Sequence, residues 1–172
     1  MSHDIWDRFS EGASRATAEW TWNLRSLHAH AFQSPIEEVL HAVFIFKATL
    51  NGGRPLRQFP SAQQHEAAQK GGPDFYIVPQ HQFGPYRADL LVGYYGIGTI
   101  KQTSIVVECD GHQWHERTKE QAQKDRERER ALNAHVAKVI RFTGSEIYRD
   151  PFACADEIIA TLDRALFALH GL

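Results

Sequence analysis

The segment from Ile105 to His115, which reads IVVECDGHQWH, concentrates residue types that can do chemistry. A run of apolar residues typical of a buried strand delivers Glu108 and Asp110 to the end of that strand. Alternate residues of a strand point to the same face, so these two carboxylates can converge on one cation. Carboxylates crowded at a strand end repel one another, and a divalent metal is the usual means of neutralising them.

A second strand is expected to bring a further acid to the same place. Residues 87–92 read RADLLV, and Asp89 is the acid among their apolar positions. Three acids on neighbouring strands predict metal-assisted hydrolysis. The apolar strands favour metal ligation by Asp89 and Glu108 over the alternative of surface or salt-bridged carboxylates. Asp110 has two interpretations, since it can bind a second metal or orient a water.

The residues after this strand include candidates for proton transfer and base stacking. A histidine with a pKa of about 6.5 suits proton transfer near neutrality, and His115 is the candidate for general base or acid. The competing interpretation makes His112 and His115 ordinary loop histidines or a transition-metal pair, because ten histidines make chance placement plausible. Trp114 is suited to stacking on nucleobases, or to a place in the core or a lid.

A helix with a strong start signal precedes the strands. Ser34 is a capping residue, Pro35 occupies the first helical position and Glu37 follows at the spacing of a capping box. The box explains Glu37 without catalysis and competes with a role for that acid near a metal. Helical spacing of apolar residues from Ile5 to Leu27 predicts an N-terminal helical extension over residues 1–33.

The remaining pattern predicts a helix, three strands, a helix, a strand and a last helix. We expect residues 52–73 to form a loop, with an optional short helix at 61–70. The later elements are expected at 75–78 with an extension to 83, 86–94, 104–110, 116–133, 136–142 and from Asp150 onward. This order predicts an α/β fold with a mixed sheet flanked by helices and chemistry at strand ends.

Length and composition restrict the function classes. A chain of 172 residues supports one well-buried domain, taken as residues 34–172, with the extension before it. No apolar stretch approaches the roughly 20 residues of a membrane span, and no secretory signal is visible, so we expect a cytoplasmic protein without a membrane partner. A net charge of −2 argues against coating nucleic acid by bulk electrostatics but allows a nucleic-acid enzyme.

Cysteine and basic residues refine this expectation. Cys109 and Cys154 are expected to be free thiols, and no CxxC-like pattern indicates structural zinc. The basic residues of the helix at 116–133 are interleaved with glutamates, which is typical of a solvated face with weak ion pairs. A few of them are candidates for holding phosphates, among them Lys119 and Lys124, together with Arg87.

The element order and the acids resemble the PD-(D/E)XK nuclease superfamily. Within it, the chain is most similar to the very-short-patch-repair-like endonucleases and to a related family of small bacterial nuclease domains. The resemblance covers residues 34–169 and rests on ECDGHQWH, KDRERERAL and KVIRFTGSEI. It implies a restriction-endonuclease-like core of the order α-β-β-β-α-β, with a central four-stranded mixed sheet.

The resemblance also implies roles for the acids. Asp89 corresponds to the acid that opens the superfamily motif and Glu108 to its second acid. With the backbone carbonyl of Cys109 they would hold Mg²⁺, for which Mn²⁺ would substitute. The superfamily has a lysine two residues after the second acid, and this chain has Asp110 there.

In the repair-like branch a downstream histidine takes over the proton chemistry. By that likeness Trp114 and His115 match the branch's tryptophan and histidine, and Asp125 matches the acid that orients the histidine. Glu37 matches the glutamate of the first helix, which lies near the metal.

The expected function is therefore a magnesium-dependent endonuclease that hydrolyses phosphodiester bonds in DNA with histidine assistance. The first alternative is a catalytically inactive nucleic-acid-binding domain that keeps the fold, which the missing lysine favours. The second is a small zinc-dependent hydrolase that uses His112 and His115. A homodimer is compatible with the endonuclease function, because one active site nicks one strand and a double-strand break needs two active sites.

Overall fold

A mixed five-stranded sheet with helices packed on it is the framework of the described chain. The computed structural model describes residues 32–50, 56–58, 75–94, 102–110 and 119–170. These residues belong to one compact unit, Ala31–Leu172. The expected extension at 1–33 lies outside the described residues except for its last two, and the optional helix at 61–70 lies outside them entirely. Both stay predictions.

The described elements follow the expected order, with one additional strand and one additional short helix. The helices are α1 (Pro35–Leu50), α2 (Lys119–Asn133), α3 (Gly144–Arg149) and α4 (Pro151–His170). The strands are β1 (Leu56–Gln58), β2 (Phe75–Phe83), β3 (Tyr86–Tyr94), β4 (Thr103–Asp110) and β5 (Lys138–Thr143). Within the described residues, no helix is long and apolar enough to cross a membrane.

The sheet has the strand order β1-β2-β3-β4-β5. The strands β2, β3 and β4 form an antiparallel meander, and β5 joins β4 in parallel after the crossover helix α2. This confirms the expected restriction-endonuclease-like core with its four-stranded mixed sheet. The short strand β1 pairs in parallel with β2 and corrects the loop expected over residues 52–73. Three residues give too short a pattern to be recognised as a strand.

Both faces of the sheet are buried. On one face, Leu132 of α2 packs with Tyr76 of β2 and Val106 of β4 in one apolar cluster. Ile105 and Val107 are also fully buried, and they point to the opposite face because strand residues alternate. There α4 contacts β4 and also packs against α1. Burial on both faces explains why β4 reads as a continuous apolar run.

Local signals account for the element boundaries. Gly84 has a φ of 55°, and with Pro85 it forms the tight turn between β2 and β3. The short helix α3 was not predicted; it begins with a capping box in which Thr143 and Glu146 exchange hydrogen bonds. Residues 143–146 carry that signal, but they lie between the strand expected at 136–142 and the helix expected from Asp150, and no element was predicted there.

Gly93 tests the close packing between β2 and β3. These strands pair at Tyr76 and Gly93, and a Cβ atom added at Gly93 would overlap the phenol ring of Tyr76. Tyr76 is fully buried and cannot move aside. The variant Gly93→Ala is expected to lower the free energy of unfolding in urea by about 2 kcal/mol. The loss should be smaller in a Tyr76→Leu background, and an equal loss in both backgrounds would contradict this explanation.

Candidate active site

Asp89 lies where strand pairing is interrupted on both of its sides. Towards β4, the pairing ends at Leu90 and Val107, so Asp89 and Glu108 are the first residues beyond it. Towards β2, the pairing passes from Leu90 to Ala88 and omits Asp89 and its opposite residue Gln80. Like charges directly opposite on neighbouring strands are destabilising, so separation of β3 and β4 at the two acids is expected.

The side chain of Asp89 bonds to β4 at the point where backbone pairing between β3 and β4 has ended. Its Oδ2 atom accepts a hydrogen bond of 2.7 Å from the backbone N–H of Cys109. Burial is the largest influence on the pKa of Asp89 and raises it. The negative charges of Glu37 and Asp110 act in the same direction, while the Cys109 N–H and Arg128 oppose them.

Glu108 is buried, with 5% of its side chain exposed, and makes an ion pair with an arginine of α2. Arg128 donates a hydrogen bond of 2.6 Å from Nη2 to Oε2 of Glu108. Burial raises the pKa of Glu108 to about 7, although Arg128 acts to lower it. The other carboxylate oxygen, Oε1, is buried and has no hydrogen-bond partner among the described residues.

Glu37 brings the start of α1 to the same region. Its Oε1 atom accepts a hydrogen bond of 2.8 Å from the Ser34 hydroxyl, so the capping interaction is present. Its Oε2 atom accepts a hydrogen bond of 2.7 Å from Nε2 of Gln80, on β2. Glu37 is only 4% exposed and raises the pKa of Asp89. Capping and proximity to the other acids are therefore compatible.

The carboxylates of four acids all act electrostatically on the thiol of Cys109. Burial is the largest influence on its pKa and raises it strongly, and the carboxylates of Glu37, Asp89, Glu108 and Asp110 raise it further. The thiol is therefore protonated and unsuited to act as a nucleophile. The structure thus places four of the five predicted acids in the neighbourhood of Cys109, with Asp110 exposed at the end of β4.

The donor chemistry of this cluster fits a hard divalent cation. Its atoms are carboxylate oxygens, and a buried carboxylate oxygen of Glu108 and the buried amide oxygen of Gln80 both lack a partner in the described chain. Among the described residues, however, no three His, Cys, Asp or Glu side chains are arranged to hold an ion. Oδ2 of Asp89 and Oε2 of Glu108 are already hydrogen-bonded, so binding would require these side chains to adjust.

The other predicted residues are placed as follows. His112, Trp114 and His115 lie outside the described residues, so their roles stay predictions. Asp125 is half-buried on α2 and Lys124 is exposed beside it. Lys119 is the first residue of that helix.

Two residues of the site were not recognised from sequence. Arg128 was grouped with the solvated basic residues of its helix, but it lies three residues after half-buried Asp125 and four before buried Leu132, on the inward face. The alternating charges of α2 obscured that signal. Gln80 has a φ of 51°, unusual for a residue other than glycine, at the break in pairing. Pro79 before it, which lacks an N–H for the ladder, was the available signal.

Comparison with protein families agrees with this architecture. The family model REase_MTES_1575, which describes a restriction-endonuclease-like family, matches residues 68–162. The match covers more than half of the chain and includes β2 to β5, Asp89 and Glu108. The chain therefore belongs to this family of nuclease domains. No curated protein and no solved structure matches the chain.

The buried carboxyl of Glu108 predicts how stability depends on pH in metal-free protein. Its pKa is about 7 in the folded state against an ordinary value of 4.5, so folding takes up a proton between these values. The free energy of unfolding should therefore fall as the pH rises from about 4.5 to 7, by at most about 1.4 kcal/mol per pH unit from this group.

Urea unfolding in EDTA at several pH values measures this dependence. Glu108→Gln removes the titrating group, so the fall in unfolding free energy should be shallower in that variant. Part of the slope should remain, because the pKa of Asp89 is raised as well. Equal slopes for the variant and the parent protein would contradict the assignment.

Proposed function

We propose that the protein is a metal-dependent endonuclease that hydrolyses phosphodiester bonds in DNA. One observation carries the proposal: half-buried Asp89 and buried Glu108 lie opposite each other on neighbouring strands, in a chain that belongs to a nuclease-domain family. Burying two carboxylates costs free energy unless a positive charge or hydrogen bonds offset it. A site of this composition is suited to a divalent cation.

Asp89, Glu108 and the backbone carbonyl of Cys109 would hold Mg²⁺ or Mn²⁺, with Asp110 as a further oxygen donor. When bound, the cation polarises the phosphate and offsets the charge that develops on it. Glu37 orients the attacking water from the side of α1. Its two oxygens are held by Ser34 and Gln80, which limits the directions from which a water can approach.

The proton chemistry is assigned to His115, in the manner of the very-short-patch-repair-like endonucleases. Asp125 keeps its imidazole in one tautomer, so that one ring nitrogen accepts the proton of the water or returns a proton to the leaving oxygen. Trp114 stacks against a base near the cut. Arg87, Lys119 and Lys124 hold backbone phosphates, which fix the position of the DNA without reading its sequence.

Cleavage of supercoiled plasmid tests the proposal. Purified protein is incubated with plasmid in Mg²⁺, in Mn²⁺ and in excess EDTA, alongside Asp89→Asn and His115→Ala. The parent protein should nick or cut only with a divalent cation. Each variant should lose cleavage by a factor of about 100 or more, since each removes a group used in the chemical step.

The control is Glu157→Gln, which neutralises an exposed acid of α4 and should cleave as the parent does. Loss of cleavage in Asp89→Asn but not in His115→Ala would keep the metal site and reject the histidine mechanism. Activity that survives EDTA would contradict metal dependence. Absence of cleavage in every cation, with DNA binding retained, would reject the enzyme and leave the inactive binding domain.

A further inference from the structure

Arg128 is held in place by one end of its guanidinium group. Its Nη2 atom donates to Oε2 of Glu108 at 2.6 Å and to the backbone carbonyl of Arg87 at 2.8 Å. A terminal guanidinium nitrogen has two hydrogens, so these contacts use both. The anchors belong to β4 and β3, the two strands that separate at Asp89 and Glu108. The guanidinium is therefore fixed at the break between these strands.

The other two nitrogens of the guanidinium retain their hydrogen-bonding capacity. Nε and Nη1 together carry three N–H donors, and no acceptor among the described residues is bonded to them. The side chain is 26% exposed, so part of it reaches solvent. An arginine that served only to neutralise Glu108 would not need to leave these N–H donors available.

The charge around Arg128 indicates what these donors would bind. Four carboxylates, Glu37, Asp89, Glu108 and Asp110, act on the thiol of Cys109, and together they repel an approaching anion. Within the described chain, Arg128 is the cation that contacts one of these acids within hydrogen-bonding distance. A phosphate that enters this region needs a positive charge at the point of entry, and a guanidinium N–H supplies that charge together with a charge-assisted hydrogen bond to a phosphate oxygen.

We propose that Arg128 binds the reacting phosphate of the nucleic-acid backbone through an N–H of Nη1, while Glu108 and the Arg87 carbonyl hold Nη2. The proposal rests on the proposed nuclease function and names the protein's own contact to the substrate. Glu108 then has two tasks: Oε2 orients the arginine, and the unpartnered Oε1 remains for a cation. The guanidinium donates hydrogen bonds and undergoes no covalent change.

The test compares Arg128→Gln, Arg128→Lys and the control Arg130→Gln. Arg130 is exposed on the same helix, two residues further on, and therefore points away from Arg128. One measurement is plasmid cleavage in Mg²⁺ under single-turnover conditions. The other is binding of duplex DNA in EDTA over a range of salt concentrations, which counts phosphate contacts without any catalysis.

We expect Arg128→Gln to slow cleavage by a factor of about 100, as removal of one transition-state donor does elsewhere. The slope of log affinity against log salt should decrease in magnitude by about 0.9, which corresponds to one lost phosphate contact. Arg130→Gln should change cleavage little. Arg128→Lys should fall between, because an ammonium keeps the positive charge but lacks the fixed geometry with which the guanidinium holds Glu108 and also reaches the phosphate.

Wild-type cleavage by Arg128→Gln, an unchanged salt slope or an equal loss of cleavage in Arg130→Gln would overturn the proposal and leave the nuclease function standing. If the parent protein does not cleave, the proposed function fails, and the salt slope alone decides whether Arg128 contacts phosphate. If circular dichroism shows that Arg128→Gln is unfolded, Arg128→Lys decides: impaired cleavage in a folded variant supports the proposal, and full activity rejects it.

Discussion

The placement of two carboxylates, one half-buried and one buried, at one break in strand pairing is the constraint on which the site depends. Asp89 and Glu108 are the first residues beyond the paired segment of β3 and β4. Neither can lie there without compensation, because a buried carboxylate loses its hydration. Compensation comes from three directions: a backbone N–H of β4 for Asp89, Arg128 of α2 for Glu108, and Gln80 of β2 for the nearby Glu37. The acids thus link the sheet to both helices that precede and follow the meander.

This compensation is incomplete, and that is informative about function. Burial still raises the pKa of both strand acids, and Glu108 reaches about 7 despite its ion pair. A fold that required only stability would place apolar residues here, since buried ion pairs are often no better than apolar packing. Unpartnered carboxylate oxygen and residual negative charge are properties that a cation would satisfy. Membership of a nuclease-domain family is consistent with that reading of the site.

The sequence predicted most of the core because its strands are apolar and its turns are marked. The expected limits of β3, Tyr86 to Tyr94, agree with the structure, since Gly84 and Pro85 mark the preceding turn. The acids at strand ends were recognisable for the same reason, as charges within apolar runs. The short elements β1 and α3 were missed, because three to six residues carry little periodicity. The partner Arg128 was missed because it is distant in sequence, and its own helix is charged on most faces.

Cation binding by Asp89 and Glu108 is tested most directly by a calorimetric titration of Mn²⁺ into EDTA-treated, dialysed protein in the absence of DNA. Wild-type protein should bind the ion. The variant Asp89→Asn keeps the shape of the side chain but removes its charge, and it should bind Mn²⁺ at least tenfold more weakly, a loss of about 1.4 kcal/mol in binding free energy. Binding should also raise the unfolding temperature of the wild type more than that of the variant. Absence of binding, or equal binding by both proteins, would contradict the proposal that Asp89 and Glu108 bind a cation.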